Sequence, residues 1–344
     1  MNQKYAQLTG WGYYVPEKVL TNADLEKMVD TSDEWILQRT GIKERRLRTE
    51  HDTNTSMSVA AAQKALDVAG LTPKDLDFII CCTTTPDYLL PAAGSLVQGA
   101  LGAECGAMQL STACSGWVYG AVMADSLIRS GMYDTILVVG AEIISHGIDY
   151  TDRTTCVLFG DAAAATIFQA SDKPSGIMAS ELGSDGAKAK SLWVPGGGTT
   201  KPISQQVVDE RSHYIMMDGQ EVFKFAARVV GESLQRVVKK AGLTMDDIDL
   251  FIPHQANARI IESAARMMGL PLEKFFINIH KYGNTSAASV PLALVEAIEE
   301  GRIQDGDTIA VAAFGGGLSW GSAVIQMGVK EKTAMYQMAA ASAD

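Results

Sequence analysis

Residues 69–82, Ala-Gly-Leu-Thr-Pro-Lys-Asp-Leu-Asp-Phe-Ile-Ile-Cys-Cys, recur at 241–254 as Ala-Gly-Leu-Thr-Met-Asp-Asp-Ile-Asp-Leu-Phe-Ile-Pro-His, an offset of 172. A second echo, Asp134-Thr-Ile-Leu-Val-Val against Asp307-Thr-Ile-Ala-Val-Ala, has an offset of 173. Each copy reads as a helix, an Ala-Gly-Leu-Thr turn, an apolar strand, a second helix and another apolar strand. Near-continuous Ile and Val runs of this kind belong to strands covered by helices on both faces. The shared pattern Ala-Gly-Leu-Thr-x-x-Asp-x-Asp is too specific for chance, so the chain is expected to be an internally duplicated α/β protein. A repeat of this kind predicts fold and not chemistry.

The repeat does place residues. Cys114 lies 17 residues before Gly131, which ends its helix, and Asn284 lies 17 before Gly301, which ends the matching helix of the second copy. His254 ends the strand whose counterpart ends at Cys82. All three fall at strand ends or helix starts near a pseudo-twofold axis, where a cleft is expected. Around Cys114, the stretch Gln109 to Arg129 turns from a short extended piece into a run with apolar residues at helical spacing from Trp117 onward. Free N–H groups and the positive dipole end at a helix start favour a thiolate over a thiol, which makes Cys114 the candidate nucleophile. The competing reading is a small core cysteine, since free Cys is among the most buried residue types. His254 and Asn284 have plain readings too, as a satisfied structural histidine and a helix cap.

The 344 residues divide by pattern into a first half, 1–171, that carries the nucleophile, a Gly/Ser/Pro/Lys-rich connection, 172–218, a second half, 219–330, that carries His254 and Asn284, and a tail, 331–344. Val194-Pro-Gly-Gly-Gly198 invites comparison with a phosphate loop, but no Gly-Lys-Ser/Thr follows it and no helix is expected there, so the connection reads as flexible. A net charge of -11 argues against nucleic acid or an anionic membrane as the main partner, and an acidic partner would need a local basic patch. Five cysteines, an odd number without disulfide or zinc spacing, fit a reducing compartment, and the first residues hold no apolar signal run. A cytoplasmic protein is expected. Cys105 to Ala124 lacks charge and is long enough to span a membrane, yet its three glycines and polar Gln109, Ser111, Thr112 and Ser115 suit a strand, turn and buried helix instead.

Several separated motifs now stand in order: Asn22-Ala-Asp-Leu-Glu-Lys-Met-Val-Asp-Thr-Ser-Asp-Glu-Trp35, Arg39-Thr-Gly-Ile42, Thr112-Ala-Cys-Ser-Gly116, Leu158-Phe-Gly-Asp161, Pro253-His-Gln-Ala-Asn257, Gly283-Asn-Thr-Ser-Ala-Ala-Ser289 and Phe314-Gly-Gly-Gly-Leu-Ser-Trp-Gly321. From about residue 5 to residue 329 the chain closely resembles the β-ketoacyl-acyl-carrier-protein synthase III family, the condensing enzymes that start type II fatty acid synthesis. The resemblance implies a thiolase fold, with duplicated βα halves in an αβαβα layering, and a Cys114, His254, Asn284 triad. It implies that acyl-CoA and malonyl-acyl-carrier protein are substrates and that neither a separate cofactor nor a metal takes part. It also implies an oxyanion hole from the N–H groups of Cys114 and Gly316, and an adenine held between Trp35 and Arg153 with Arg39 on phosphate. Gly219 and Gln220 would lie beside the CoA, and Lys224, Arg259 and Arg266 would face the acidic carrier protein. A homodimer is implied, with Leu90 of one copy closing the primer pocket of the other and Phe314 as a further pocket residue. Asn284 separates this family from elongating condensing enzymes, which carry a second His there. Gln109, Trp117 and Gln220 depart from the usual Asp, Phe and Asn.

Three rival functions are weighed. A related acyltransferase of secondary metabolism would keep the triad and use another acceptor. A partner subunit without activity would lack the nucleophile, and a plain CoA-binding module would leave His254 and Asn284 without purpose.

Overall fold

The computed structural model describes residues 3–328, so the tail read over 331–344 lies outside the described residues. Five strands form one sheet: β1 (Tyr5–Tyr14), β2 (Phe78–Cys82), β3 (Gly106–Leu110), β4 (Thr135–Glu142) and β5 (Ala162–Ser171). They lie in the order β1-β5-β4-β2-β3, and β4, β2 and β3 run parallel. Four strands form the other: β6 (Gly176–Ser184), β7 (Leu250–Pro253), β8 (Thr308–Gly315) and β9 (Ser319–Gln326), in the order β7-β8-β9-β6. Read from the parallel side, β2-β4-β5-β1 of the first sheet matches β7-β8-β9-β6 of the second. The fifth place in the second sheet is reduced to one parallel bridge between Phe251 and Phe275.

The 172–218 stretch therefore holds more than a connection. Its strand β6 pairs with β9 and fills the place that β1 fills in the first sheet, with Ile177 and Ala179 buried. The sequence hides it because a short Gly-Ile-Met-Ala-Ser-Glu-Leu-Gly-Ser strand carries few β-branched residues amid Gly and Ser.

The shared nine-residue pattern has a physical cause in both copies. Helices α1 (Asn54–Ala69) and, later, α4 (Gly219–Lys240) are followed by Gly70 and Gly242, which take the left-handed conformation at φ 67° and 74°. Thr72 and Thr244 then donate through N–H and hydroxyl to Asp75 and Asp247, closing a tight turn at 2.7–2.8 Å. Asp77 accepts from Thr135 N–H, and Asp249 from Thr308 N–H, at 2.9 and 2.8 Å, which sets the register of the neighbouring strand.

Between α1 and α4 come α2 (Ala93–Leu101) and α3 (Gly116–Arg129), and after them α5 (Ala258–Met268) and α6 (Ser289–Glu299). Trp117, Ala121 and Ile128 of α3 and Val290, Leu294 and Ala297 of α6 share one buried cluster with residues of both sheets, so these two helices form the middle layer. Helices α1 and α2 cover the outer face of the first sheet, and α4 and α5 that of the second. The layering is αβαβα, as expected. Trp117 belongs to this core, and its Nε1–H donates to Thr166 Oγ1 at 3.0 Å, so the larger ring is accommodated without an orphaned donor.

Both middle helices are entered through the same kind of turn. Ala113–Ser115 precedes α3 with Ala113 at φ 48°, and Ser286–Ala288 precedes α6 with Ser286 at φ 51°. Residues 113 and 286 are separated by 173, the offset of the second sequence echo. Counting back from the helix-ending glycines pairs Cys114 with Asn284, but α3 has 14 residues and α6 has 11, so the counterpart of Cys114 is Ala287. The second turn packs on β4 at Gly140, where an added Cβ would lie 2.3 Å from the Ala287 carbonyl oxygen. Gly140→Ala is expected to destabilise the fold by about 1–3 kcal/mol through overpacking against backbone. A lowered thermal unfolding midpoint checks this, and an unchanged midpoint would show that the turn can shift freely.

Candidate active site

Cys114 occupies the middle of its turn at the start of α3 and is 7% exposed. The end of β8 passes directly against it, since a Cβ on Gly315 would lie 2.5 Å from the Cys114 nitrogen. Gly316 follows and lines the same cavity as Cys114. Burial works against the expected thiolate. Burial pushes the Cys114 thiol up to about 12, the nearby Glu142 charge adds to this, and a hydrogen bond with Ser286 acts the other way. Desolvation is the largest of these effects because the thiol sits almost wholly inside the protein.

His254 leaves β7 with its N–H donated to Ala312 O at 2.7 Å, and its ring meets Phe314 edge-on at 5.3 Å. It is 1% exposed, and neither ring nitrogen has a hydrogen-bond partner. Burial lowers its pKa to about 3, so the ring is neutral and offers one donor and one acceptor. A neutral buried imidazole with both nitrogens open has a donor and an acceptor to present to whatever enters the cavity. Asn284 is fixed through its backbone to Leu158 and Gly160 at 2.8 and 3.0 Å. Its Oδ1 accepts from Ser286 N–H at 2.9 Å, which orients the amide and leaves its NH2 as a donor. Cys114, His254, Asn284 and Phe314 line one cavity of about 80 Å³.

That cavity opens into a cleft of about 660 Å³, and Leu158, Met217, Gly219, Phe223 and Asn257 line both. Helix Asp33–Thr40 presents Trp35 and Arg39 to the cleft from one face, four residues apart, with Ser32 Oγ capping the Trp35 N–H at 3.1 Å. Gln220, Lys224 and Arg259 complete its wall. Arg39 and Arg153 both lie on the Trp35 ring, at 4.9 and 5.2 Å from its centroid, and Arg153 is tied to Asp30 O at 2.9 Å. Arg266 is not brought to the cleft. It lies exposed further along α5, paired with Glu262 at 3.9 Å.

On the other side of Cys114 a second cavity of about 280 Å³ is lined by Thr84, Ile144, Phe159, Val194 and Ser286 among others. Leu90 lines neither cavity of its own chain, being 86% exposed beside Tyr88 and Leu89. Phe314 stands with His254 and does not line this second cavity. Gln109 is a helix-start cap, its Oε1 accepting from Ala93 N–H at 3.0 Å. The sequence reading missed Ser286 and Glu142. Glu142 had a signal, because a carboxylate closes the otherwise apolar run Thr-Ile-Leu-Val-Val-Gly-Ala, and it is fully buried. Among the described residues no helix is long and apolar enough to cross a membrane, and no cluster could hold a metal ion.

Two related α/β halves that meet so that one brings a buried thiol and the other neutral hydrogen-bond donors define a thiolase-fold condensing enzyme. The comparisons with known proteins agree. Residues 108–186 match the family described as 3-oxoacyl-[acyl-carrier-protein (ACP)] synthase III, and residues 238–327 match its C-terminal family. The β-ketoacyl-[acyl-carrier-protein] synthase III of Symbiobacterium thermophilum is 52% identical over 93% of this chain and 98% of its own length. The crystal structure of 3-oxoacyl-[acyl-carrier-protein] synthase III from Aquifex aeolicus is 46% identical, with a TM-score of 0.87 over 93% of this chain and 99% of that one. The priming β-ketosynthase of the R1128 polyketide pathway is 32% identical, with a TM-score of 0.89 over 95% of this chain and 98% of that one. The chain belongs to the β-ketoacyl-acyl-carrier-protein synthase III family.

The neutral state of His254 has a consequence for stability. Its folded pKa lies below the ordinary 6.5, so as pH falls through 6.5 the unfolded chain takes up a proton that the folded one refuses. Stability is therefore lost between about pH 6.5 and 3, at roughly 1.4 kcal/mol per pH unit from this residue. Denaturant unfolding at pH 7.5 and pH 5 should show a drop that is smaller in His254→Gln by about 2 kcal/mol. Equal drops in the two proteins would mean that His254 is not held neutral.

Proposed function

We propose that this chain condenses an acyl-CoA primer with malonyl-acyl-carrier protein, releasing carbon dioxide and giving a 3-oxoacyl-carrier protein, a cytoplasmic reaction that begins fatty acid synthesis. The observation that carries this reading is His254, neutral, buried and without a partner on either ring nitrogen, in one cavity with Cys114 and Asn284.

Acyl-CoA enters along the cleft, its adenine on Trp35, its phosphates near Arg39 and its pantetheine arm past Gly219 and Gln220. Two stacking contacts of about 3.5 Å each need more space than the 5.2 Å between Arg153 and Trp35, so Arg153 swings outward to cover the adenine. Cys114 Sγ attacks the thioester carbonyl, the C–S bond to CoA breaks, and the thiol proton leaves with CoA as its own thiol. The tetrahedral oxyanion is met by the Cys114 and Gly316 N–H groups. Malonyl thioester follows, and its carboxylate leaves as carbon dioxide while the electron pair moves onto the thioester oxygen. His254 and Asn284 donate to that oxygen as charge develops, and the enolate carbon then attacks the acyl group and expels the Cys114 thiolate.

The acidic carrier protein would meet Lys224 and Arg259 at the cleft and Arg266 further along α5, a basic stretch on a chain whose net charge is -11. A homodimer would cover the exposed Tyr88, Leu89 and Leu90 and let Leu90 close the partner's primer pocket. The secondary-metabolism reading shares this site, but the identity of 52% to a synthase III against 32% to the polyketide-priming enzyme favours fatty acid synthesis.

Mass spectrometry after incubation with acyl-CoA tests the division of labour. Cys114→Ala should take up no acyl group, whereas His254→Ala should be acylated yet condense about a hundredfold to a thousandfold more slowly. Near-normal condensation by His254→Ala would overturn its role. For the primer, Leu90→Phe should lower kcat/KM for butyryl- and isobutyryl-CoA relative to acetyl-CoA, since each methylene buried contributes roughly 0.8 kcal/mol. An unchanged ratio would show that Leu90 does not line the pocket.

A further inference from the structure

Glu142 ends β4 without any exposure to solvent, directly behind the nucleophile's cavity. Thr84 N–H, which can only donate, approaches both of its oxygens at 3.2 and 3.1 Å, and Thr85 Oγ1 lies at 2.6 Å. Such a set of donors is the environment of a carboxylate, although burial raises its pKa. Ser286 Oγ lies 3.1 Å from Glu142 Oε1, and Ser286 N–H donates to Asn284 Oδ1 at 2.9 Å. Ser286 is held for both contacts by a left-handed backbone at φ 51°, a conformation that a non-glycine residue keeps only where its surroundings fix it.

We infer that Glu142 is a positioning residue: it accepts the Ser286 hydroxyl in a hydrogen bond, which keeps that proton from the Cys114 thiol across the cavity they share and leaves the Ser286 N–H to orient the Asn284 amide. A serine whose proton is held by a carboxylate has none free for sulfur, so Glu142 withholds the donor that would otherwise favour the thiolate. The Glu142 charge acts in the same direction. The other groups packed around this centre do not compete: His254 is neutral, the Cys81 and Cys82 thiols are themselves pushed up by burial, and Asp87 accepts from Asn54 and Thr55. The resting thiol is thereby kept protonated and unreactive toward adventitious electrophiles, and Ser286 can turn its proton to sulfur only by leaving Glu142. This deepens the reading of Cys114 as nucleophile, and it rests on that reading only for its consequence in turnover.

The test follows alkylation of Cys114 by iodoacetamide between pH 7 and 9, read by peptide mass spectrometry, in four proteins: the parent, Glu142→Gln, Glu142→Asp and Ser286→Ala. Loss of one nearby charge moves a thiol by about one pKa unit, so Glu142→Gln should alkylate about tenfold faster at each pH. Glu142→Asp keeps the charge while losing the fit, and should stay within about twofold of the parent. Ser286→Ala loses the hydroxyl that can follow the thiolate and should be slower. A Glu142→Gln rate equal to the parent overturns the inference. So does a Glu142→Asp rate raised as far as that of Glu142→Gln, which is what simple loosening would give. Should Glu142→Gln not fold, Ser286→Ala decides, a slower rate supporting the inference and an equal or faster one overturning it. Acyl uptake from acyl-CoA, measured separately, tells failure of this inference from failure of the proposed reaction.

Discussion

The close packing of two helix-start turns against the two sheets is what the rest of this molecule depends on. The turn before α6 lies on β4 because Gly140 leaves room for the Ala287 carbonyl, and the turn before α3 lies against β8 because Gly315 leaves room for the Cys114 nitrogen. Each turn bears a non-glycine residue with positive φ, a cost of order 1–3 kcal/mol that the surrounding core must overdetermine. The middle layer of α3 and α6, shared by both sheets, supplies that determination. The internal repeat thus has a local result: equivalent turns from the two halves face one another, with the Cys114 thiol on one side and Asn284 with Ser286 on the other.

The electrostatics of the site follow from its dryness. Burial raises the Cys114 thiol and keeps His254 neutral. In the proposed reaction the first effect would oppose nucleophilic attack and the second would favour decarboxylation, because a neutral donor stabilises an enolate without first attracting the malonyl carboxylate and holding it in place. A dry pocket also strengthens each hydrogen bond to developing charge. Under the proposed reaction the same surroundings would therefore restrain one half-reaction and promote the other.

Much of this was legible in the sequence because the two copies share local chemistry that has to be spelled out. Gly70 and Gly242 must be glycine for their φ, and the Thr and Asp residues after them close turns through their own side chains, so the repeat survives as letters. Strand β6 was not legible, since its place in the sheet is decided by β9 and not by its own composition. Counting from Gly131 and Gly301 placed Asn284 near the axis but gave it the wrong counterpart, because helix length is free to differ where only the helix start is constrained. Cys114 stood out in sequence by its setting at a helix start, whereas the burial that pushes its thiol up is a property of tertiary packing that the sequence does not display. Ser286 stayed hidden inside a motif, its contacts with Asn284 and Glu142 resting on a backbone conformation that no side-chain pattern announces.

If the two halves of the site are separable, decarboxylation should not need the thiol. The most direct measurement is release of labelled carbon dioxide from malonyl-acyl-carrier protein by Cys114→Ala, with the acetyl-carrier protein product followed in parallel. His254 and Asn284 are untouched in that protein, so carbon dioxide release is expected to persist, with a proton taking the place of the acyl electrophile on the enolate carbon. Loss of carbon dioxide release in a folded Cys114→Ala protein would contradict the assignment of enolate stabilisation to the second half of the chain.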